Sequence, residues 1–265
     1  MTYKEFISSG IKPEKQFTEH IKATVRQADL TIPNKLELFP FCYTNNIKTA
    51  KLIYSGNIKE YERNGRLEPY LPESYCLKPI NGAGCRGVFL MHKGTNLQTG
   101  KKYNNFSEIR EDYIMGQSAY HGYSDYYYIE ELIYDTLTEQ PDNYKMFAFS
   151  GNVEFIRMYR PTLRNNRRNE RSVSYHKSGE VFYTLAGGLD LPNTTIINRM
   201  VDFATKVVNA LNNPVFLRVD CLFANNEIYL GELTPTDGIM GTYYQDDNIQ
   251  NYLGYLFELN KNKNI

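Results

Sequence analysis

The 265-residue sequence contains no tryptophan, and none of its four cysteines stands in a C-x-x-C pair or beside a histidine at zinc-site distance. Cys42, Cys76, Cys85 and Cys221 therefore read as scattered free thiols of a reducing cytosol, not as a disulfide framework or a zinc site. The four histidines, His20, His92, His121 and His176, show no metal spacing of their own. Net charge is missing too, with 30 Lys+Arg against 30 Asp+Glu. That removes any bulk attraction to nucleic acid or an anionic membrane, so electrostatic specificity must be local. No apolar run approaches the roughly 20 residues that span a bilayer. The segment 1–9 lacks the apolar core of a signal peptide, so a cytoplasmic protein is expected. Internal repeats and low-complexity linkers are also absent.

What is present sharpens along the chain. Residues 1–70 read as a loosely patterned helical region broken by Pro13, Pro33, Pro40 and Pro69. Tyr75–Lys78 predicts a short strand, followed by a glycine-rich loop and a second strand at Val88–Met91. Phe106–Met115 predicts a helix and Tyr126–Tyr134 a strand. Tyr144–Phe149 and Val153–Tyr159 predict a hairpin turning at Gly151-Asn152. Arg160–Arg171 is a polar loop, and strand pattern resumes in Ser172–Thr184. Ile196, Ile197, Met200, Val201, Ala204, Val207, Val208 and Leu211 recur at helical spacing. Val215–Ala224 and Ile228–Thr234 form the best strand pair. Tyr252, Tyr255, Leu256 and Leu259 predict a closing helix. Strands outnumber helices without regular alternation, which points to α+β.

Two local patterns carry chemistry. The first is Lys78-Pro79-Ile80-Asn81-Gly82-Ala83-Gly84-Cys85-Arg86-Gly87. Glycines let backbone N–H groups approach phosphate oxygens closely. A dinucleotide fingerprint needs a helix after the last glycine, and a Walker A loop needs Lys-Ser/Thr there; a strand pattern stands at that place. Strand–glycine loop–strand remains, as a flap over phosphates or as a plain hairpin turn. Protein kinases use such a flap, but neither H-R-D nor D-F-G occurs here.

The second is Arg218-Val219-Asp220 with Gly231-Glu232-Leu233-Thr234. A three-residue loop at Asn225-Asn226-Glu227 would set Asp220 directly opposite Glu232, about 5 Å apart, with Arg218 opposite Thr234. A two-residue Asn-Asn loop would send the acids to opposite faces. In that reading Leu222, Ile228 and Leu230 share the acids' face. Paired carboxylates repel unless a cation or shared proton intervenes. Mg²⁺ takes one or two carboxylates plus nucleotide phosphates, which suits this pair. A structural Arg–Asp–Glu ion network would use the same residues.

The two patterns, with Ile129-Glu130-Glu131-Leu132-Ile133 and Asp142-Asn143-Tyr144-Lys145-Met146-Phe147 between them, resemble the ATP-grasp superfamily. More narrowly they resemble the TupA-like ATP-grasp proteins of cell-surface polysaccharide biosynthesis. The resemblance spans residues 71–241. It implies two α+β lobes holding ATP between antiparallel sheets, with a reduced N-terminal region at 1–70, a small lobe at 71–133 and a large lobe at 134–265. It implies that Lys78 contacts phosphates and that Gly82, Gly84, Arg86 and Gly87 belong to the flap. Glu130, Glu131 and Ile133 would lie in a hinge that reads adenine, and Lys145 would face the nucleotide. Asp220, Glu232 and Thr234 would hold Mg²⁺, although Thr stands where many relatives carry Asn. Arg218 would stabilise an acyl-phosphate. A lysine from the N-terminal region usually reaches the nucleotide, and Lys48 and Lys51 are the candidates. The activity implied is ATP-dependent ligation of a carboxylate, saccharide or small molecule, to an amine. A small-molecule or sugar kinase and a non-catalytic binding module are the alternatives. The Arg157, Arg160, Arg164, Arg167, Arg168 and Arg171 cluster would grip an anionic acceptor or simply be solvated.

Overall fold

Alternation of apolar and polar residues along short strands produces two antiparallel sheets in the protein's structure, a computed structural model. It describes residues 1–17, 19–20, 32–58, 71–81, 87–118, 125–138, 140–160, 171–185, 189–235 and 246–261. The smaller sheet has five strands, ordered β1 (Leu52–Asn57), β5 (Tyr126–Glu131), β2 (Ser74–Pro79), β3 (Phe89–His92) and β4 (Thr95–Asn96). The larger has six, ordered β11 (Glu227–Thr234), β10 (Phe216–Ala224), β6 (Asp142–Phe149), β7 (Asn152–Arg160), β8 (Arg171–His176) and β9 (Val181–Leu185). The expected α+β arrangement with two antiparallel sheets is what the chain forms. The N-terminal part departs from the helical expectation: besides α1 (Tyr3–Ser9) and α2 (Leu38–Thr44) it supplies β1, which pairs with β5.

Each sheet has one apolar and one polar stretch. In the small sheet Tyr75, Leu77, Tyr127 and Ile129 pack against Phe106, Ile109 and Tyr113 of α3 (Phe106–Ser118). Cys76, Lys78, Tyr128 and Glu130 take the opposite face, as period-two geometry requires. One face of the large sheet carries Met146, Ile156, Leu217, Val219, Ile228 and Leu230, packed with α4 (Thr194–Asn209). Asn193 starts that helix by accepting from Ile196 N–H at 2.9 Å. Ile197, Met200, Ala204, Val207 and Val208 are its buried stripe, as the spacing predicts.

The other face of the large sheet is split. Phe147, Phe149, Phe155 and Phe216 lie under α1 and α5 (Asp247–Lys261). In α5 the large apolar residues that are buried are Ile249, Tyr252, Leu253, Leu256 and Phe257, whereas Leu259 is exposed. The rest of that face is polar.

Two turns differ from expectation. The β6–β7 hairpin turns at Ser150-Gly151, both at positive φ (46° and 87°), one residue earlier than the Gly151-Asn152 reading. The β10–β11 hairpin uses the two-residue loop Asn225-Asn226, also at positive φ (50° and 62°).

The segment at 48–51 bonds to both sheets. Leu230 N–H donates to Lys48 O at 2.8 Å, Thr49 Oγ1 donates to Leu230 O at 2.8 Å, and Glu131 N–H donates to Lys51 O at 2.9 Å. Ala50, Ile133, Leu222, Ala224 and Tyr229 fill the space beside it. No helix among the described residues is long and apolar enough to cross a membrane.

Candidate active site

A two-residue loop should have parted the two acids, and a β-bulge brings them back together. Ala224 pairs with Glu227 and Cys221 with Leu230, but Asp220 pairs with Glu232. Gly231 is the extra residue that shifts the register. A Cβ there would lie 3.3 Å from the Asp220 carbonyl oxygen, so glycine suits this close approach. The bulge also corrects the faces: Ile228 and Leu230 join the α4 core, while Leu222 stays on the acids' side. Arg218 faces Thr234 as expected.

Asp220 sits in a nest of cations. Arg218 Nε donates to Oδ1 at 2.6 Å and its Nη2 to Oδ2 at 2.7 Å. Lys145 Nζ, from the directly paired position on β6, donates to Oδ2 at 2.8 Å. Burial pushes the Asp220 carboxyl up, but Lys145 and Arg218 outweigh it and hold the group below its ordinary range. Arg218 Nη2 also donates to Thr234 Oγ1 at 3.1 Å.

Glu232 is half exposed and lies 3.8 Å from Lys35 Nζ. Lys35 is held in place by a cap ahead of α2. Asn34 Oδ1 accepts from the N–H groups of Leu36 and Glu37 (2.9 and 3.1 Å), and Asn34 N–H donates back to the Glu37 carboxylate at 2.9 Å. The Asn-Lys-Leu-Glu cap is legible in sequence, but its proximity to Glu232 is tertiary. Lys48, the sequence candidate, lies 3.3 Å from Glu227 with its ammonium 4.7 Å from the Tyr229 ring centroid. Lys51 is exposed beside Glu131.

The small sheet turns its polar face toward the acids. Lys78 pairs with the Glu130 carboxylate. Burial works against the Lys78 charge, but Glu130 and its neighbours prevail and raise its pKa well above the ordinary value. Tyr128 is raised by burial and further by Glu130 and Glu232, a field that crosses between the sheets. Its ring is 5.8 Å from Phe39 of α2. Glu131 pairs with Tyr75, and Ile133 is buried against Leu222 and Tyr229. Gly87, at φ 69°, precedes β3; Gly82, Gly84 and Arg86 lie outside the described residues.

Two carboxylates fit an ion shared with a polyphosphate better than a protein-only cage. Among the described residues no group of three or more His, Cys, Asp or Glu could hold a metal ion. Mg²⁺ keeps few protein ligands and takes the rest from phosphate and water, so Asp220 and Glu232 with Thr234 suit it. The cations Lys35, Lys78, Lys145 and Arg218 match the charge of a phosphate chain.

The fold is shared with known enzymes. D-alanine–D-alanine ligase from Bacillus anthracis complexed with ATP matches at TM-score 0.54 and 14% identity, over 98% of this chain and 72% of that one. D-alanine–D-alanine ligase from Helicobacter pylori matches at 0.52 and 17%, over 88% and 59%. The biotin carboxylase domain of Hydrogenobacter thermophilus 2-oxoglutarate carboxylase, in complex with MgADP, ADP and bicarbonate, matches at 0.55 and 13%, over 87% and 46%. The chain thus spans less than two thirds of the latter two. No curated protein matches the sequence significantly. A family model described as TupA-like ATP-grasp covers residues 39–258, and the chain belongs to that family.

Proposed function

We propose that this chain is an ATP- and Mg²⁺-dependent ligase that joins a carboxylate to an amine through an acyl-phosphate. The observation that carries the reading is the bulge-set pairing of Asp220 with Glu232, with Arg218 and Lys145 on the same sheet face. Structures of that fold hold ATP in a D-alanine–D-alanine ligase and MgADP in a biotin carboxylase domain, which supports the nucleotide assignment.

Lys78 contacts the phosphates once they draw it from Glu130. Backbone groups of Glu130, Glu131 and Ile133 read the adenine. Asp220 and Glu232, helped by Thr234, hold the metal, which when bound neutralises phosphate charge. Lys145 and Arg218 release Asp220 to stabilise the transferring group. The substrate carboxylate oxygen bonds to the γ-phosphorus as the bond to the β,γ-bridging oxygen breaks and ADP leaves. The amine nitrogen then bonds to the acyl carbon, the acyl carbon–oxygen bond to phosphate breaks, and the nitrogen loses a proton. Water must be excluded in between, since it would consume the acyl-phosphate.

The family resemblance supports a uronic-acid-type sugar or polysaccharide as one substrate and an amino acid or amine as the other, in the cytoplasm where ATP is supplied. The test is release of ADP and phosphate by the purified chain with paired carboxylates and amines, with amide detected by mass spectrometry. Turnover that needs no amine and leaves a stable phosphoester would instead establish a kinase.

A further inference from the structure

Among the described residues, each carboxylate of the proposed site has a cation beside it. Asp220 accepts from Arg218 at 2.6 and 2.7 Å and from Lys145 at 2.8 Å. Glu130 pairs with Lys78. Glu232 has Lys35, whose Nζ lies 3.8 Å from Oε1. These contacts are unequal. The Asp220 side chain is 16% exposed and held by charge-assisted hydrogen bonds. The Glu232 side chain is 42% exposed, and 3.8 Å is beyond hydrogen-bond range. An exposed pair of that kind contributes little, so Glu232 is the acid that changes partner most readily.

Lys35 reaches Glu232 from a braced position. Besides the bonds of the Asn34 side chain, Asn34 O accepts from Leu38 N–H at 2.9 Å and closes the turn into α2. Leu38 and Cys42 then sink into the core shared with α4. The same helix sets Phe39 against Tyr128 of β5, on the polar face that carries Lys78 and Glu130. Burial raises the Tyr128 pKa, and Glu232 adds to it from the other sheet. The Lys35–Glu232 contact therefore faces the space between the sheets, where phosphates and metal are proposed to bind.

We propose that Lys35 competes with the divalent metal for Glu232 and passes to the phosphate chain once Glu232 takes the metal. The site then accepts metal and nucleotide together and discriminates against metal alone. The competition follows from charge: an ammonium and a hard divalent cation seek the same carboxylate oxygens. Without a phosphate chain, a metal at Glu232 would meet the Lys35 ammonium with no anion between them. With one, the phosphate oxygens replace the carboxylate as Lys35's partner, and no like charges are left facing each other. The inference rests on the nucleotide–metal reading of the Asp220 site and concerns how the two enter it.

The experiment uses the full chain and two titrations. Mn²⁺ alone stands in for Mg²⁺, with free ion counted by electron paramagnetic resonance. The β,γ-imido analogue of ATP is titrated in excess Mn²⁺ by calorimetry. Lys35→Met keeps the aliphatic stem and removes the charge. It should tighten Mn²⁺ alone about three- to fivefold and weaken the analogue at least threefold. Lys35→Arg should keep both affinities near wild type. In a Glu232→Gln background, Lys35→Met should no longer change the affinity for Mn²⁺ alone. Lys35→Gln, expected to shift both affinities in the same directions, covers the case in which Lys35→Met does not fold. A merely structural role would weaken both ligands together. Unchanged or weaker binding of Mn²⁺ alone in the charge-removing variants, an unchanged affinity for the analogue, or a gain that persists with Gln at 232 overturns the inference alone. A wild type that does not bind the analogue overturns the underlying reading and the inference with it.

Discussion

Replacing Asp220 with asparagine removes one charge from between two cations and nothing from the shape of the site. Arg218 and Lys145 then face each other across a neutral amide on a largely buried sheet face. Removing one partner of a buried ion pair costs about 3–5 kcal/mol. Asn retains an acceptor oxygen, so the lower end, about 3 kcal/mol, applies. For a chain of this size that is about 6–12 °C in melting temperature. The sign of the ligand response is the sharper readout. Without metal, inorganic tripolyphosphate should stabilise Asp220→Asn more than wild type, because no carboxylate competes for Arg218 and Lys145. Adding Mg²⁺ should then strengthen tripolyphosphate binding in wild type and leave the variant unchanged. Differential scanning fluorimetry over a matrix of phosphate and metal concentrations measures all four states. A variant that melts with wild type, or that keeps the full Mg²⁺ increment, would refute the idea that this carboxylate is shared between cations and metal.

Three further outcomes are expected. Lys78→Met should abolish nucleotide-dependent turnover and weaken nucleotide binding at least tenfold by calorimetry, since it removes a cation from the polar face of the small sheet and leaves Glu130 unpaired. Gly231→Val should lower activity more than stability, because a Cβ 3.3 Å from the Asp220 carbonyl forces the bulge to shift and misaligns Glu232; activity and urea unfolding measured together check this. Asp135 accepts from the N–H groups of Asn225, Thr138 and Leu137, and this holds its carboxyl at about 2 against an ordinary 3.8. Its contribution is therefore complete above pH 4 and lost as pH falls towards 2. Asp135→Asn should flatten that part of the acid unfolding curve.

The sheet pairings were legible wherever period-two alternation and turn residues agreed, as along β6, β7, β10 and β11. The amphipathic stripe of α4 was equally plain. The acid pairing was anticipated with the wrong loop. Asn225-Asn226 is a strong two-residue turn, and only the glycine bulge at 231, which leaves no mark in hydrophobic pattern, restores the register. β1 was missed because Leu52–Asn57 is an edge strand whose burial is only intermediate, so alternation is weak. Lys35 was out of reach for a different reason: its cap is a local pattern, but its place beside Glu232 is made only by the tertiary fold.

The four residues from Lys48 to Lys51 have a mechanical consequence. One end is fastened to the edge of β11 and the other to β5, so the connector cannot lengthen without breaking one of these bonds. Any displacement of one sheet relative to the other must therefore carry Thr49 and Ala50 with it or give up a bond to Leu230 or Glu131. The bonds of Asn225 to Tyr134, Asp135 and Thr136 add a second tie at the β10–β11 turn.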